Sequence, residues 1–351
     1  MGDHKAIAAT IELSYVNDED RGYTRRRAGK GFSYRDEDGE TIRDPEIRER
    51  IDALAIPPAW SDVWICPSPD GHIQATGRDD RERKQYIYHE RWRAVRDAHK
   101  FDELTIFAEE LPAIRARTDA DLRKHGLPRE KVLAGVVRLL EATLLRIGAP
   151  EYTRENGSYG LSTVRSKHVE VEGSRISFAF PGKGGIDQVA SVSDQRLARF
   201  VGKCLDVPGY EVFKYLDENG ERHLVDPRAV NDYLHDIGGA VVTAKKFRTW
   251  GGTLVGAQTL AAQPVPEHPA EASQTLSEAI EAVAARLGNT PEISRASYIH
   301  PSILDCYQSG DLQAAFASAA AADPPTSPHD LRPEEQALLA IIRRHPALDL
   351  V

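Results

Sequence analysis

Cysteine is scarce in this chain of 351 residues: Cys66, Cys204 and Cys306 stand far apart, with no CxxC pair and no His-rich spacing around them. That excludes a disulfide framework and a zinc-finger type of site, and it predicts three reduced thiols without a role and no bound metal. Long apolar runs are missing too. No stretch reaches the ~20 residues a membrane helix needs, and none has the layout of a signal peptide, so the expected location is the cytoplasm with no membrane partner. A GxxxxGKS or GxxxxGKT loop is absent, so no ATP or other nucleotide cofactor is expected. No internal repeat and no coiled-coil heptad occurs. Positive charge is short as well: 45 Lys and Arg against 54 Asp and Glu give a net charge of -9, which speaks against a nucleic-acid binder. The deficit is local, because residues 262–351 carry 5 basic and 12 acidic side chains. The near-neutral remainder can still present a basic groove, since binding to phosphates follows the local potential rather than the total.

What is present suggests two domains, because the length exceeds that of one ordinary core. Residues 1–95 read as a small β-rich domain and residues 96–351 as a mostly helical one. Residues 1–10 show no strong periodicity and are expected to fray. Strand-like stretches follow: IELSYV from Ile11, a basic stretch Arg21 to Lys30, a hairpin turning at Asp38-Gly39, and another turning at Pro69-Asp70-Gly71. Between them, Asp44 and Pro45 open a short helix. In the second domain Leu104 to Arg123 and Pro128 to Ile147 are amphipathic, with Gly148 as the stop of the second helix and Arg146 at its end. From Leu161 to Val192 the period changes to two, with strands STV, KHVEVE, RISFAF and IDQVAS and the glycine-flanked Lys183 on a tight turn. Helices near 193–205 and 227–237 flank a hairpin turning at Asn219-Gly220. Thr243 caps the next helix, and Gln263 to Ser273 reads as a flexible connection to a helix from Leu276 to Leu287. Helices near 311–322 and 332–344 close the chain.

Three stretches carry chemistry. In Leu287 to Pro301, LGNTPEISRASYIHP, Asn289-Thr290-Pro291 forms a capped turn, which places Tyr298 two turns along a short helix. Taken alone, one of twelve tyrosines is far more often a half-buried packing residue than a nucleophile. In Arg78 to Trp92, RDDRERKQYIYHERW, the alternation of Gln85, Tyr86, Ile87 and Tyr88 reads as a strand, with Arg81, Arg83 and Lys84 just upstream. Arg and Lys suit phosphates, and Tyr and Gln suit sugars or base edges, but a charged strand is commonly just solvated surface. For Arg146 the ordinary role is a charge near a helix C-terminus; for Lys183 it is an exposed hairpin lysine.

SRASYIHP with LGNTP before it resembles the active-site segment of type IB DNA topoisomerases of the bacterial, poxvirus-like kind. RKQYIY resembles the DNA-contacting strand of the same family's N-terminal domain. The resemblance runs from about residue 30 to 310. It implies an α+β fold in which a small β-rich domain and a mostly α-helical catalytic domain with a short antiparallel sheet, like that of the tyrosine recombinases, close as a clamp around duplex DNA. It implies a monomeric, nucleoid-associated enzyme that relaxes supercoils through a 3′-phosphotyrosyl intermediate without ATP, metal or other cofactor. The catalytic residues implied are Tyr298 as nucleophile, Arg146 in RIG, Lys183 in the hairpin turn and Arg248 in KKFRTWG. Asn289 stands where viral and eukaryotic members carry histidine; it can donate a hydrogen bond but no charge. The DNA contacts implied are Arg81, Arg83, Lys84, Gln85, Tyr86, Tyr88 and Tyr152. Two alternatives remain: a tyrosine recombinase, against which Lys245 stands where His-x-x-Arg would need histidine, and a non-catalytic duplex-binding protein.

Overall fold

The computed structural model describes residues 2–350. Its chain divides into a unit ending at Ala98 and a unit running from His99 to Leu350.

The first unit is built on a five-stranded antiparallel sheet. Its strands are β1 (Tyr23–Ala28), β2 (Gly31–Arg35), β3 (Ser61–Ile65), β4 (Ile73–Arg78) and β5 (Lys84–Tyr88), in the order β2-β1-β3-β4-β5. One face carries Tyr34, Val63, Ile65 and Ala75 and buries them against Ile51 of helix α2 (Pro45–Ala53), whose first turn is capped by Asp44 as expected. The other face is crossed by the segment from Ser14 to Gly22: Trp64 Nε1 donates to the Asp20 carbonyl (3.0 Å) and Thr76 Oγ1 to Asp18 (2.9 Å). Gly22 must be glycine, since a Cβ there would lie 2.2 Å from Trp64 Nε1. The first forty residues depart from expectation. Residues Gly2–Thr10 form helix α1, held through Ala8 against Leu13 and Trp92 rather than frayed. IELSYV is no strand; beyond one bridge, Ser14 to Gly71, it pairs with no strand and instead packs Val16 over the sheet against Trp64, Cys66 and Ile73. The basic stretch does hold a strand, β1, but the hairpin turns at Gly29-Lys30. Asp38-Gly39 does turn the chain, but its second arm is a single bridge from Arg35 to Thr41.

The second unit has its core on four helices: α3 (Glu90–Leu122), which starts in the first unit, α4 (Arg129–Thr143), α7 (Pro227–Gly238) and α8 (Ala244–Ala261). Around them stand α5 (Pro150–Asn156), α6 (Gln195–Asp206), α9 (Pro269–Leu287), α10 (Pro291–Tyr298), α11 (Pro301–Ser309), α12 (Asp311–Ala321) and α13 (Pro333–Arg344). A three-stranded antiparallel sheet, β6 (Val169–Glu172), β7 (Arg175–Pro181) and β8 (Asp187–Ser193), and a small hairpin, β9 (Lys214–Leu216) and β10 (Arg222–Leu224), complete it. Several boundaries move. α3 is one helix through Pro112, not a new start at Leu104. STV is a 3-10 turn, Leu161–Thr163, not a strand, and α9 begins at Pro269 where a flexible connection was expected. α4 stops at Leu144, whose φ of 58° breaks the helix before Gly148. The three cysteines are unpaired, and all three are buried. No helix among the described residues is long and apolar enough to cross a membrane.

Candidate active site

The early end of α4 releases Arg146 from the helix into an extended segment. Its carbonyl accepts from Leu161 N (2.8 Å), and the next carbonyl, of Ile147, from Ser162 N (2.7 Å). Gly148 and Gly160 make this pairing possible: a Cβ on Gly160 would lie 2.4 Å from the Gly148 backbone and 2.7 Å from the Arg146 carbonyl. Arg146 therefore does not sit on the helix end, and the role of neutralising that end falls to Arg286, which donates to the carbonyls of Ala142 and Thr143 (both 2.7 Å).

Arg248 projects from α8 and is 3 % exposed. Its Nη1 donates to the Leu144 carbonyl, and its Nη2 donates to the carbonyl of Leu287 (2.9 Å) and to Asn289 Oδ1 (3.4 Å). Arg146 Nη2 also donates to Asn289 Oδ1. Guanidinium groups can only donate, so the amide must turn its oxygen to both arginines and its nitrogen away. One donor atom on each of the three side chains, Arg146 Nη1, Arg248 Nε and Asn289 Nδ2, is buried without a partner among the described residues.

Tyr298 completes the cluster at the last residue of α10, which Thr290 caps through a bond from Ile293 N (3.3 Å). It lies in one buried apolar cluster with Leu144, Ile280, Val283, Leu287 and Ile299, and the Arg248 guanidinium lies 5.1 Å from its ring centre. Burial pushes the phenol up, but the positive charges of Arg248, Arg146 and Lys245 outweigh it, and the net shift is below the ordinary tyrosine value. Burial, then the neighbouring Arg146, lowers Arg248 to about 10. The sequence offered Lys245 only as an argument against a recombinase; the structure makes it a source of positive potential at the phenol. Its position three residues before Arg248 on one helix was the available signal.

Lys183 does not join this cluster directly. It stands exposed at the tip of the β7–β8 hairpin, beside Gly184 and Gly185 with φ of 75° and 77°. Two contacts bring that hairpin to the site. Tyr159 N, downstream of Arg146, donates to the Pro181 carbonyl (2.9 Å), and the buried Gln188 amide reaches the carbonyl of Gly288, next to Asn289 (3.4 Å). Tyr152, on α5, is 55 % exposed.

In the first unit, the segment Arg81 to Tyr88 forms a turn and strand β5. Tyr86 and Tyr88 stack in parallel, with ring centres 5.7 Å apart. Lys84 lies over Tyr86 (5.6 Å) and Arg96 over Tyr88 (5.2 Å). Two cations at the strand's entrance have carboxylates: Lys84 pairs with Asp18 (2.6 Å), and Arg83 with Asp79 (2.8 Å), which also accepts from Gln85 (2.9 Å). Hydrogen bonding from Arg83 holds the Asp79 carboxyl at about 2.

A phenol beside two guanidinium groups and an amide, each with an unused donor, is an arrangement suited to holding a phosphodiester. The family described as the catalytic core of eukaryotic DNA topoisomerase I matches residues 89–318, and the N-terminal domain of bacterial DNA topoisomerase IB matches residues 31–79. The chain belongs to the type IB DNA topoisomerases. DNA topoisomerase 1B of Acanthamoeba polyphaga mimivirus is 30% identical over 298 residues, which cover 82% of this chain and 88% of the viral protein. DNA topoisomerase 1B of Vaccinia virus (strain Copenhagen) is 23% identical over 235 residues, covering 65% of this chain and 70% of its own. As a member of the family, the enzyme is an isomerase of the type I class.

Proposed function

We propose that this topoisomerase relaxes supercoiled duplex DNA as a monomer whose two units clamp the duplex at the nucleoid, with Tyr298 as nucleophile. The phenol loses its proton and its oxygen attacks phosphorus. The bond to the 5′ oxygen breaks, leaving a 3′-phosphotyrosyl ester; the cut end swivels, and the 5′ hydroxyl then attacks the ester and restores the strand. The ester conserves the bond energy, so the cycle consumes no ATP.

The observation that carries this reading is the set of unused donors on Arg146, Arg248 and Asn289, tied together through one amide oxygen. Leaving a buried donor unpaired costs about 1–3 kcal/mol, and here two like charges are also held together. A phosphate with its two non-bridging oxygens relieves both penalties, more strongly as charge shifts onto those oxygens in the transition state. On the first unit, Arg81, Arg83, Lys84, Gln85, Tyr86 and Tyr88 meet the duplex backbone and groove, and Tyr152 does so on the second. The decisive assay is relaxation of supercoiled plasmid in EDTA without ATP. Complete relaxation with protein trapped on the 3′ end of the broken strand is expected; a 5′ attachment, or a requirement for metal, would refute the mechanism.

Lys183 supplies the proton for the departing 5′ oxygen, and its glycine-flanked turn lets it reach the groove when DNA is bound. Sulfur in place of that bridging oxygen leaves with little protonation. Lys183→Ala should therefore cleave ordinary DNA very slowly but recover much of its rate on the sulfur-substituted strand, while Arg248→Ala recovers far less. Equal recovery by the two variants would remove Lys183 as the donor.

A further inference from the structure

We infer that Thr253 is a positioning residue for the nucleophile, a hydroxyl that fixes the backbone of Tyr298 against the same helix that carries Arg248. The inference rests on Tyr298 being that nucleophile. Thr253 is fully buried. Its oxygen accepts from His300 N (3.1 Å), and its proton faces two carbonyls, Thr249 O at 2.8 Å and Tyr298 O at 3.2 Å. The bond to Thr249 is the ordinary one a helical threonine makes to the preceding turn. The other two are not local. Helix α10 ends at Tyr298 and Ile299 is extended, with φ of -119°, so the Tyr298 carbonyl and the His300 N–H have lost helical continuation and meet Thr253 instead.

Gly252 allows the approach, because a Cβ there would lie 2.8 Å from the Tyr298 carbonyl oxygen and 3.2 Å from its Cβ. Helix α8 thus holds the tyrosine at three places: its carbonyl by Thr253, its Cβ by the bare Gly252 backbone, and its ring face by Arg248. The phenol oxygen is separated from this anchor by only two side-chain torsions. A shift of the backbone therefore passes to the attacking atom, while the arginines, fixed through α8 and Asn289, stay behind. In-line attack tolerates little of that mismatch.

Thr253→Val keeps the shape and removes the hydroxyl; Thr253→Ser keeps the hydroxyl. In single-turnover reactions on a duplex that traps the covalent complex, the valine variant is expected to slow cleavage and religation alike by about 10²-fold, with duplex affinity changed by less than about twofold and the serine variant within about threefold of wild type. Wild-type cleavage by Thr253→Val, or a serine variant as slow as the valine one, overturns the inference. If Thr253→Val does not fold, Gly252→Ala crowds the same carbonyl with the hydroxyl intact, and it too should slow cleavage while binding duplex; unchanged cleavage there is equally fatal. Tyr298→Phe runs alongside as a reference. An inactive Phe variant beside a fully active Thr253→Val removes the positioning role alone, whereas cleavage by the Phe variant removes the nucleophile and this inference with it.

Discussion

Tyr298→Phe is expected to bind duplex DNA as the wild type does and to show no nicking, no covalent complex and no relaxation. The phenyl ring retains the packing against Leu144, Ile280, Val283, Leu287 and Ile299, and the guanidinium over its face, so the fold loses little. Only the hydroxyl goes, and no other group in the cluster can replace it: Arg146, Arg248 and Asn289 are donors with no nucleophilic atom to offer. The measurement is single-turnover cleavage beside a binding titration on the same duplex. Covalent complex formed by the Phe variant at a rate within an order of magnitude of wild type would end the assignment.

Arg146→Ala and Arg248→Ala should both lower the cleavage rate by about 10²–10³-fold, the usual loss for one oxyanion-type donor. Their effects on stability should differ. Arg146 is half-buried and its side chain bonds to Asn289 rather than to the main chain, so its removal leaves the backbone network intact. Arg248 joins the carbonyls of Leu144 and Leu287, residues of two different helices' ends, and without it both are left buried and unpaired. That should cost about 2–5 kcal/mol. Chemical denaturation and single-turnover cleavage on the two variants read these quantities separately. Equal stability losses would mean that the carbonyls find other donors, and undiminished cleavage in either variant would reduce that arginine to a structural part.

The elements that carry the proposed site could be read in part from local text, because they announce their own ends, whereas the roles of its residues came from the resemblance. Thr290-Pro291 opens the helix of Tyr298 with a cap and a proline, and the alternation of RISFAF and IDQVAS marks the hairpin that carries Lys183. The same logic, applied to His300-Pro301, would have exposed α11, where the His300 side chain accepts from Ser302 N (3.3 Å). The end of α4 was not legible. Its apolar spacing continues to Ile147, yet the helix breaks at Leu144, whose carbonyl meets an arginine far along the chain that the local sequence does not reveal. Thr253 gave no sign either, since its partners are backbone groups more than forty residues away and a buried threonine in a helix is ordinary. The carboxylates behind Lys84 and Arg83 were in view as residues, but which cation each would meet depends on how the strap from Ser14 to Gly22 crosses the sheet.

Those carboxylates change what the ionic medium can do to the enzyme. A bare lysine meeting DNA displaces dissolved cations from the duplex, and affinity then falls steeply as salt rises. Lys84 and Arg83 arrive with counterions built into the chain, Asp18 and Asp79. On the proposed interface, engaging a phosphate at these positions trades one tethered anion for another, so part of the electrostatic gain is already spent inside the protein. On that proposal the grip on the duplex is looser in dilute salt and less sensitive to concentrated salt than the number of cations suggests, which would suit an enzyme that has to let the helix turn while held.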